Sequence, residues 1–413
     1  MIRASTVEAG PEAGRGGARP GGIVADILGF EGEAGRTVLR EIDGIPYYVN
    51  AFWTAAQRRA HPLHEISYRA CFKAQLPEFF IARLTGPGDL VFDPFMGRGT
   101  TPLQAALMGR RAAGNDVNPL AVLLVRPRFR AVTAEAVARA LAGIDWTRGR
   151  IGREDLLAFY HPQTLRRLEA LRLWIAEQAA PAGHDPDPVV DWIRMVALNR
   201  LSGHSPGFFS GRSMPPNQAV SVDAQRRINA RLGVDPPERD VAQLILRKTR
   251  SLLRGGTVAH GPGADLHVGS AWEVPAMQAG SVDLCVTSPP FLDVVDYAAD
   301  NWLRCWFAGL DPGSVAIDLH RNAADWTAMV RRVLVELART LRQGGHLAFE
   351  VGEVRGGRVA LERLVWRAAE GLPFDRLGIM VNEQHFTKTA QCWGIDNGSK
   401  GTNSNRIVLL RRA

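Results

Sequence analysis

Three stretches of this chain combine residue types that do chemistry. The first, DPFMGRGTT from Asp93 to Thr101, follows an apolar run and precedes a helical one. Glycine lets a backbone turn sharply and a ligand approach without a Cβ in the way, and an acidic side chain there can pair with a ligand ammonium. The second, CVTSPPFLDVVDY from Cys285 to Tyr297, is an apolar strand running into Ser288, Pro289 and Pro290. Proline cannot donate to a sheet ladder, so the strand ends there, and its fixed φ holds the neighbouring carbonyls in place. The third, GNDVNP, puts Asp116 17 residues beyond Gly99. In dinucleotide-binding folds an acidic residue about 20 residues after the glycine turn accepts hydrogen bonds from ribose hydroxyls. The other reading of Asp116 is an Asx turn ahead of Pro119. Together the stretches suggest an adenosine-bearing cofactor, with NAD disfavoured because the glycine turn reads G-x-G-T-T and not G-x-G-x-x-G.

The elements that must position these residues follow from periodicity. QLPEFFIARLT (75–85) has helical spacing, and GDLVFDPF (88–95) is a buried strand bounded by Gly and Pro. GTTPLQAALMGRR (99–111) is the next helix, with Thr100 as its cap, Pro102 in its first turn and Gly109 at its C-terminal end. AAGNDVNPLAVLL holds a second strand ending near Asp116. This is a βαβ unit, and it predicts an α/β fold with a doubly wound, mostly parallel sheet. After about residue 125 the pattern turns helical in TAEAVARALAGI, PQTLRRLEALRLWIAEQ, PVVDWIRMVALNRL and RDVAQLILRKTRSLLR. Strand and helix alternation resumes with SVDLCVTSPPF, WTAMVRRVLVELARTL, GGHLAFEVGEV and a final strand, NRIVLLRR.

The expected organisation is a disordered, Gly/Ala/Arg-rich tail over 1–43, a first part of the catalytic domain over 44–125, a helical insertion over 126–261, and the rest of the domain over 262–413. GIPYYVNAFW (44–53) opens the domain as a short strand or extended arm. With 413 residues, 46% of them hydrophobic, the chain can bury one large core and carry an insertion. No apolar run approaches the roughly 18 residues of a membrane span, and the N-terminus lacks a signal-peptide core, so a cytoplasmic protein is expected. Cys71, Cys285, Cys305 and Cys392 are widely spaced. They suggest reduced thiols, with no zinc site and no other metal.

Formal net charge is +8, and its distribution matters more than its size. Between Arg126 and His260 there are 21 Arg and Lys against 13 Asp and Glu, while the rest of the chain balances at 29 against 29. The excess therefore sits in the insertion, where it marks either a polyanion-binding surface or a solvated basic face. Arg226, Arg227, Arg231, Arg247, Lys248, Arg250 and Arg254 are its candidate phosphate contacts. The polar stretch HFTKTAQCWGIDNGSKGTNSNR adds Lys388, Lys400 and Arg406, as a surface hairpin or a loop on nucleic acid.

DPFMGRGTT followed downstream by TSPPF resembles the paired motifs of S-adenosylmethionine-dependent DNA amino-methyltransferases, and the TSPP form resembles their N4-cytosine branch. The resemblance spans roughly 65–125 and 262–413, including SYRACFKAQLPEFFIARLTGPGDLVFDPF and LRQGGHLAFEVGEV. It implies a Rossmann-like methyltransferase using S-adenosylmethionine on double-stranded DNA, with a restriction endonuclease as a partner of the kind such enzymes keep. Phe72, Lys73, Ala74, Asp93, Pro94, Phe95, Gly97, Gly99, Thr100 and Thr287 would surround the cofactor, and Asp116 would hold its ribose. Ser288, Pro289 and Pro290 would form the catalytic turn, with Phe291 as an aromatic wall for a base swung out of the duplex. N6-adenine methylation, RNA base methylation and a non-catalytic nucleic-acid-binding module are the alternatives. The long insertion between the two motifs departs from the expected position of a target-reading region.

Overall fold

The computed structural model describes residues 22–32, 35–53, 60–68, 71–178, 185–213, 219–258, 263–292, 297–315, 317, 320–352, 354, 358–383 and 404–413. Its frame is a nine-stranded mixed sheet of β3 (Val38–Ile42), β4 (Ile45–Asn50), β5 (Leu90–Asp93), β6 (Arg111–Asp116), β7 (Ala264–Val268), β8 (Val282–Thr287), β9 (Leu341–Val351), β10 (Phe374–Glu383) and β11 (Ser404–Arg412). A separate two-residue ribbon, β1 (Glu31–Gly32) with β2 (Gly35–Arg36), precedes it. The spatial order is β3-β4-β10-β11-β9-β8-β5-β6-β7. Strands β5 to β9 run parallel, while β11 is antiparallel to both β9 and β10. The chain winds from β5 outward to β7, then returns to the other side of β5 as β8. That reversal opens a crevice at the carboxyl ends of β5 and β8, where doubly wound sheets bind ligands.

Both sheet faces are covered, which is why the central strands read as continuous apolar runs. On one face, α11 (Ala323–Thr340) buries Trp326, Met329, Val330, Val333, Leu334 and Leu337, a three-four spacing that makes one stripe. The helix α12 (Leu361–Ala368) joins it there over Phe92, Cys285, Leu347 and Phe349. On the other face, α1 (Gly22–Leu28) and α2 (Gln75–Leu84) cover Val91, Leu284, Val286 and Ala348. The intervening helices are α3 (Thr100–Leu107), which links β5 to β6, and α4 (Pro119–Val125) after β6.

The helical segment comprises α5 (Ala134–Ala142), α6 (Pro162–Glu177), α7 (Pro188–Leu198), α8 (Val222–Leu232) and α9 (Val241–Leu252). It shares one apolar cluster with Leu103 of α3, Leu120 and Leu124 of α4, and Leu303 and Phe307 of α10 (Tyr297–Ala308). It is thus packed into the α/β domain and not hung from it.

The fold class matches the sequence expectation of an α/β, mostly parallel sheet. Two local expectations fail. The stretch expected as a tail over 1–43 contains regular structure: Ile23 and Ile27 of α1 are buried, and β3 forms the sheet edge. Thr100 does not cap α3. Gly99 holds the cap position in the left-handed region at φ 74°, and the Thr100 hydroxyl accepts from Arg98 Nε instead.

Candidate active site

The glycine turn is stitched to the end of the neighbouring strand. Gly97 N donates to Asp116 Oδ2 at 2.8 Å, and Met96 N donates to the Asn115 carbonyl at 3.0 Å. Gly97 and Gly99 both lie at positive φ, 49° and 74°. A Cβ on Gly99 would come within 2.6 Å of Val125, so packing as well as backbone conformation requires glycine there. Arg98 reaches from this turn to the carbonyls of Ile66 and Phe72, tying down the segment ahead of α2. Arg128, 1% exposed, ties the turn from beneath through the Leu63, Leu124 and Arg98 carbonyls.

Two carboxylates face the resulting cleft. Asp93, at the end of β5, accepts from Thr287 Oγ1 at 2.6 Å and from Phe95 N at 3.1 Å. Burial pushes its carboxyl up to about 7. Asp116 accepts from Asn118 N with its second oxygen, and burial pushes it up to about 6. Asp116 thus forms an Asx turn and also faces the cleft. Neither burial is compensated by a cationic partner among the causes of these shifts, which leaves a cleft whose carboxylates gain from a positively charged ligand.

The cleft encloses about 750 Å³ of space between atoms, counting the part open to solvent. Phe72, Asp93, Phe95, Gly97, Thr100 and Asp116 line it, and so do Ser288 and Pro290. Thr287 acts from behind, through its bond to Asp93. Pro94 is buried and accepts from Asn115 Nδ2 through its carbonyl. Lys73 and Ala74 do not reach the cleft: Lys73 is exposed and Ala74 is buried ahead of α2. Tyr68, Cys71, Met96 and Asn118 also line it, and sequence reasoning gave none of them a role.

The turn after β8 is held at both ends. Trp326, fully buried in α11, donates from Nε1 to the Pro290 carbonyl at 2.8 Å. At its other end Thr287 pairs with Phe349 in the β8–β9 ladder, next to Glu350, whose Oε1 accepts from Asn405 Nδ2 at 2.9 Å. Glu350 was missed. Its signal was a lone acidic residue in LAFEV, a strand otherwise apolar on both faces. Pro289 is buried, and Phe291 is half-buried against the core beneath α11 and is not among the residues lining the cleft.

The candidate phosphate contacts divide. Arg226, Arg227, Arg231, Arg247, Arg250 and Arg254 are exposed, with Arg226 paired to Asp223. Lys248 turns the other way, to Glu65 at 2.8 Å, and is not on the face of Arg247 and Arg250. Arg406 lies in β11, paired with Glu362. Lys388 and Lys400 lie outside the described residues. Among the described residues no helix is long and apolar enough to cross a membrane, and no group of three His, Cys, Asp or Glu converges to hold a metal.

Residues 43–125 match a family model described as DNA methylase. The matched stretch holds β5, the glycine turn, β6 and Asp116. The chain is 32% identical over 84 residues to the type II methyltransferase M.MjaII of Methanocaldococcus jannaschii, covering 20% of this chain and 16% of that one. It is 45% identical over 49 residues to the orphan methyltransferase M.BamHII of Bacillus amyloliquefaciens, covering 12% and 18%. The aligned stretch thus spans less than a fifth of either relative. A solved structure of a putative DNA modification methylase from Thermus thermophilus, complexed with S-adenosyl-L-methionine, is 28% identical over 35% of this chain and 54% of its own, with a TM-score of 0.23.

The residues present fit S-adenosylmethionine. A cation-favouring pair of buried carboxylates, a glycine turn at positive φ and the aromatic walls Tyr68, Phe72 and Phe95 meet in one cleft. Its ammonium, sulfonium and ribose diol are the complementary groups.

Proposed function

We propose that the chain is a DNA amino-methyltransferase acting on the exocyclic N4 amine of cytosine, with S-adenosylmethionine as methyl donor. The observation that carries this reading is the convergence of Asp93, Asp116 and the turn residues Ser288 and Pro290 on one cleft at the ends of β5, β6 and β8. The family match over 43–125 supports the DNA methylase class, and the TSPP form of the turn favours cytosine.

When bound, S-adenosylmethionine supplies an activated methyl on a positively charged sulfur. Asp116 would accept from the ribose hydroxyls and Asp93 would face the cationic end, each becoming fully ionised as the positive charge arrives. The N4 amine of cytosine is a poor nucleophile because its lone pair is delocalised into the ring. Ser288 Oγ and the Pro289 carbonyl can accept from its N–H groups and favour a pyramidal nitrogen with its lone pair aimed at the methyl. Such bonds strengthen in the transition state and so accelerate the step. The Trp326 bond holds the turn in that arrangement without further reorganisation. The base must leave the duplex to reach so enclosed a site.

Exposed Arg247 and Arg250 on α9 and Arg227 on α8 are the backbone-binding candidates. Methyl transfer from labelled S-adenosylmethionine to unmethylated duplex DNA tests the reading. Wild-type protein should label DNA, and Ser288→Ala should bind the cofactor normally while losing transfer by about 100-fold or more. Equal loss of cofactor affinity in Ser288→Ala and Asp116→Ala would refute the division of roles.

A further inference from the structure

We propose that the polar pocket between the helical segment and the glycine turn holds one backbone phosphate of the strand that carries the target base, with Arg200 as its ligand. The inference rests on the methyltransferase reading above and deepens it. It names where the substrate strand is gripped beside the cleft, and it gives the helical segment a part in that grip.

The pocket encloses about 930 Å³, counting the part open to solvent, and Tyr68 and Cys71 line both it and the cofactor cleft. A group held here is thus separated from the cleft by a shared wall. Its cations come from separate parts of the fold: Arg98 from the glycine turn, Arg200 from the end of α7 and Lys248 from α9. Glu65 is the one carboxylate among the described residues that line it. Lys248 Nζ is committed to that carboxylate at 2.8 Å, which leaves the guanidiniums of Arg98 and Arg200 without an acidic partner in the pocket.

The backbone acceptors of the wall are already used. The Glu65 carbonyl accepts from Asn199 Nδ2 at 3.2 Å, the Ile66 carbonyl from Arg98 Nη1 at 3.1 Å and the Ser67 carbonyl from Arg304 Nη2 at 2.9 Å. Donors therefore outweigh acceptors, which suits an anion. Arg98 spends three of its five N–H groups on Thr100 Oγ1 and the Ile66 and Phe72 carbonyls, so it acts as a fixed charge. Arg200 keeps the free capacity. Its Nε donates to the Asn199 carbonyl at 2.9 Å, and its guanidinium lies 4.2 Å from the centre of the Phe208 ring. Among the described residues its two terminal nitrogens meet no acceptor. The Asn199 bond and the Phe208 ring pre-orient a planar fork, and such a fork matches two oxygens of a phosphodiester. Burial brings Arg200 down to about 10, so it stays charged at neutral pH. A partly buried cation with no carboxylate beside it gains from an arriving anion.

The test uses the full chain, unmethylated plasmid DNA and S-adenosylhomocysteine. Arg200→Gln should weaken DNA binding about tenfold or more and lower its salt slope by about one. Arg200→Lys keeps the charge and loses the fork, so it should keep the slope and recover part of the affinity. Binding of S-adenosylhomocysteine should stay within about twofold in both variants. Ser67→Asp sets a carboxylate on the pocket wall with Arg200 in place, and it should weaken DNA binding by about tenfold as well. An unchanged salt slope in Arg200→Gln overturns the inference; if that variant does not fold, full DNA affinity in Ser67→Asp does so. A tenfold loss of S-adenosylhomocysteine affinity with the DNA slope unchanged, about the size of one lost charged hydrogen bond, assigns Arg200 to the cofactor carboxylate and overturns it too. So does a saturable rise of the wild-type melting temperature with inorganic phosphate, lost in Arg200→Gln while the DNA slope is unchanged, because the pocket then serves a free anion. None of these results touches the reading of the cleft. A wild-type protein that binds S-adenosylhomocysteine and DNA but methylates neither cytosine nor adenine overturns that reading, and with it the assignment of the strand.

Discussion

Replacing Asp93 by Asn isolates the electrostatic strain of the cofactor cleft. Asp93 is 1% exposed, and its carboxyl sits at about 7 against 3.8 for an unhindered one. Between those values the native state holds a proton that the unfolded chain has released, so stability falls as pH rises, by about 1.4 kcal/mol per unit. From about pH 5 to about pH 8 the loss comes to about 3 kcal/mol, and above 7 it is complete. Asn cannot ionise, so this part of the pH dependence should disappear in Asp93→Asn, whatever the variant's stability at any single pH. Asp116, raised from 3.8 to about 6, leaves a residual slope in both proteins below that value. Urea unfolding across the pH range reads the difference directly. Ligand binding should move in the opposite sense: wild-type affinity for S-adenosylmethionine should rise with pH up to about 7 as Asp93 ionises, and the Asp93→Asn affinity should be lower and flatter. Parallel stability–pH curves for wild type and Asp93→Asn would refute the argument, because the burial of Asp93 would then carry no proton.

Three further outcomes follow from the geometry. Gly99→Ala should destabilise by about 1–3 kcal/mol in thermal or urea unfolding, since alanine at φ 74° is strained and its Cβ would meet Val125 at 2.6 Å. Neutralising exposed Arg247 and Arg250 should lower the salt slope of DNA binding by about two, whereas Lys248→Ala should leave that slope unchanged and, with Glu65 half exposed, cost about 1 kcal/mol or less from the lost pair. Phe291→Ala, in a residue half-buried against the core, separates two roles when melting temperature and transfer rate are measured together. A stacking role predicts lost transfer with Phe291→Trp active, and a packing role predicts lost stability with Phe291→Trp overpacked.

The β5–α3–β6 unit and the TSPP turn were legible because local rules and the global fold agree there. An apolar strand, a glycine turn and an acidic strand end occur in the order that a doubly wound sheet requires. The N-terminal helix was not legible, because its short apolar run from Ile23 to Leu28 follows a long Gly/Ala/Arg-rich stretch and its partners Phe79 and Phe80 lie far along the sequence. The strand β10 and the helix α10 were missed for a related reason: their apolar sides match elements distant in sequence. Lys248 shows the limit of reading charge runs. It sits beside Arg247, but one step along a helix turns a side chain by about 100°, enough to send Lys248 to Glu65 and leave Arg247 in solvent. Thr100 failed as a cap because Gly99 takes the capping position, a tertiary choice made by the packing of Val125.

The central claim is the identity of the methylated atom. Plasmid DNA from cells expressing the protein, digested to nucleosides and compared by mass spectrometry with DNA from cells expressing Ser288→Ala, measures it directly. The account predicts N4-methyldeoxycytidine in the first sample and its absence from the second. N6-methyldeoxyadenosine in its place would contradict the cytosine assignment, and unmodified DNA in both samples would contradict the account of the site.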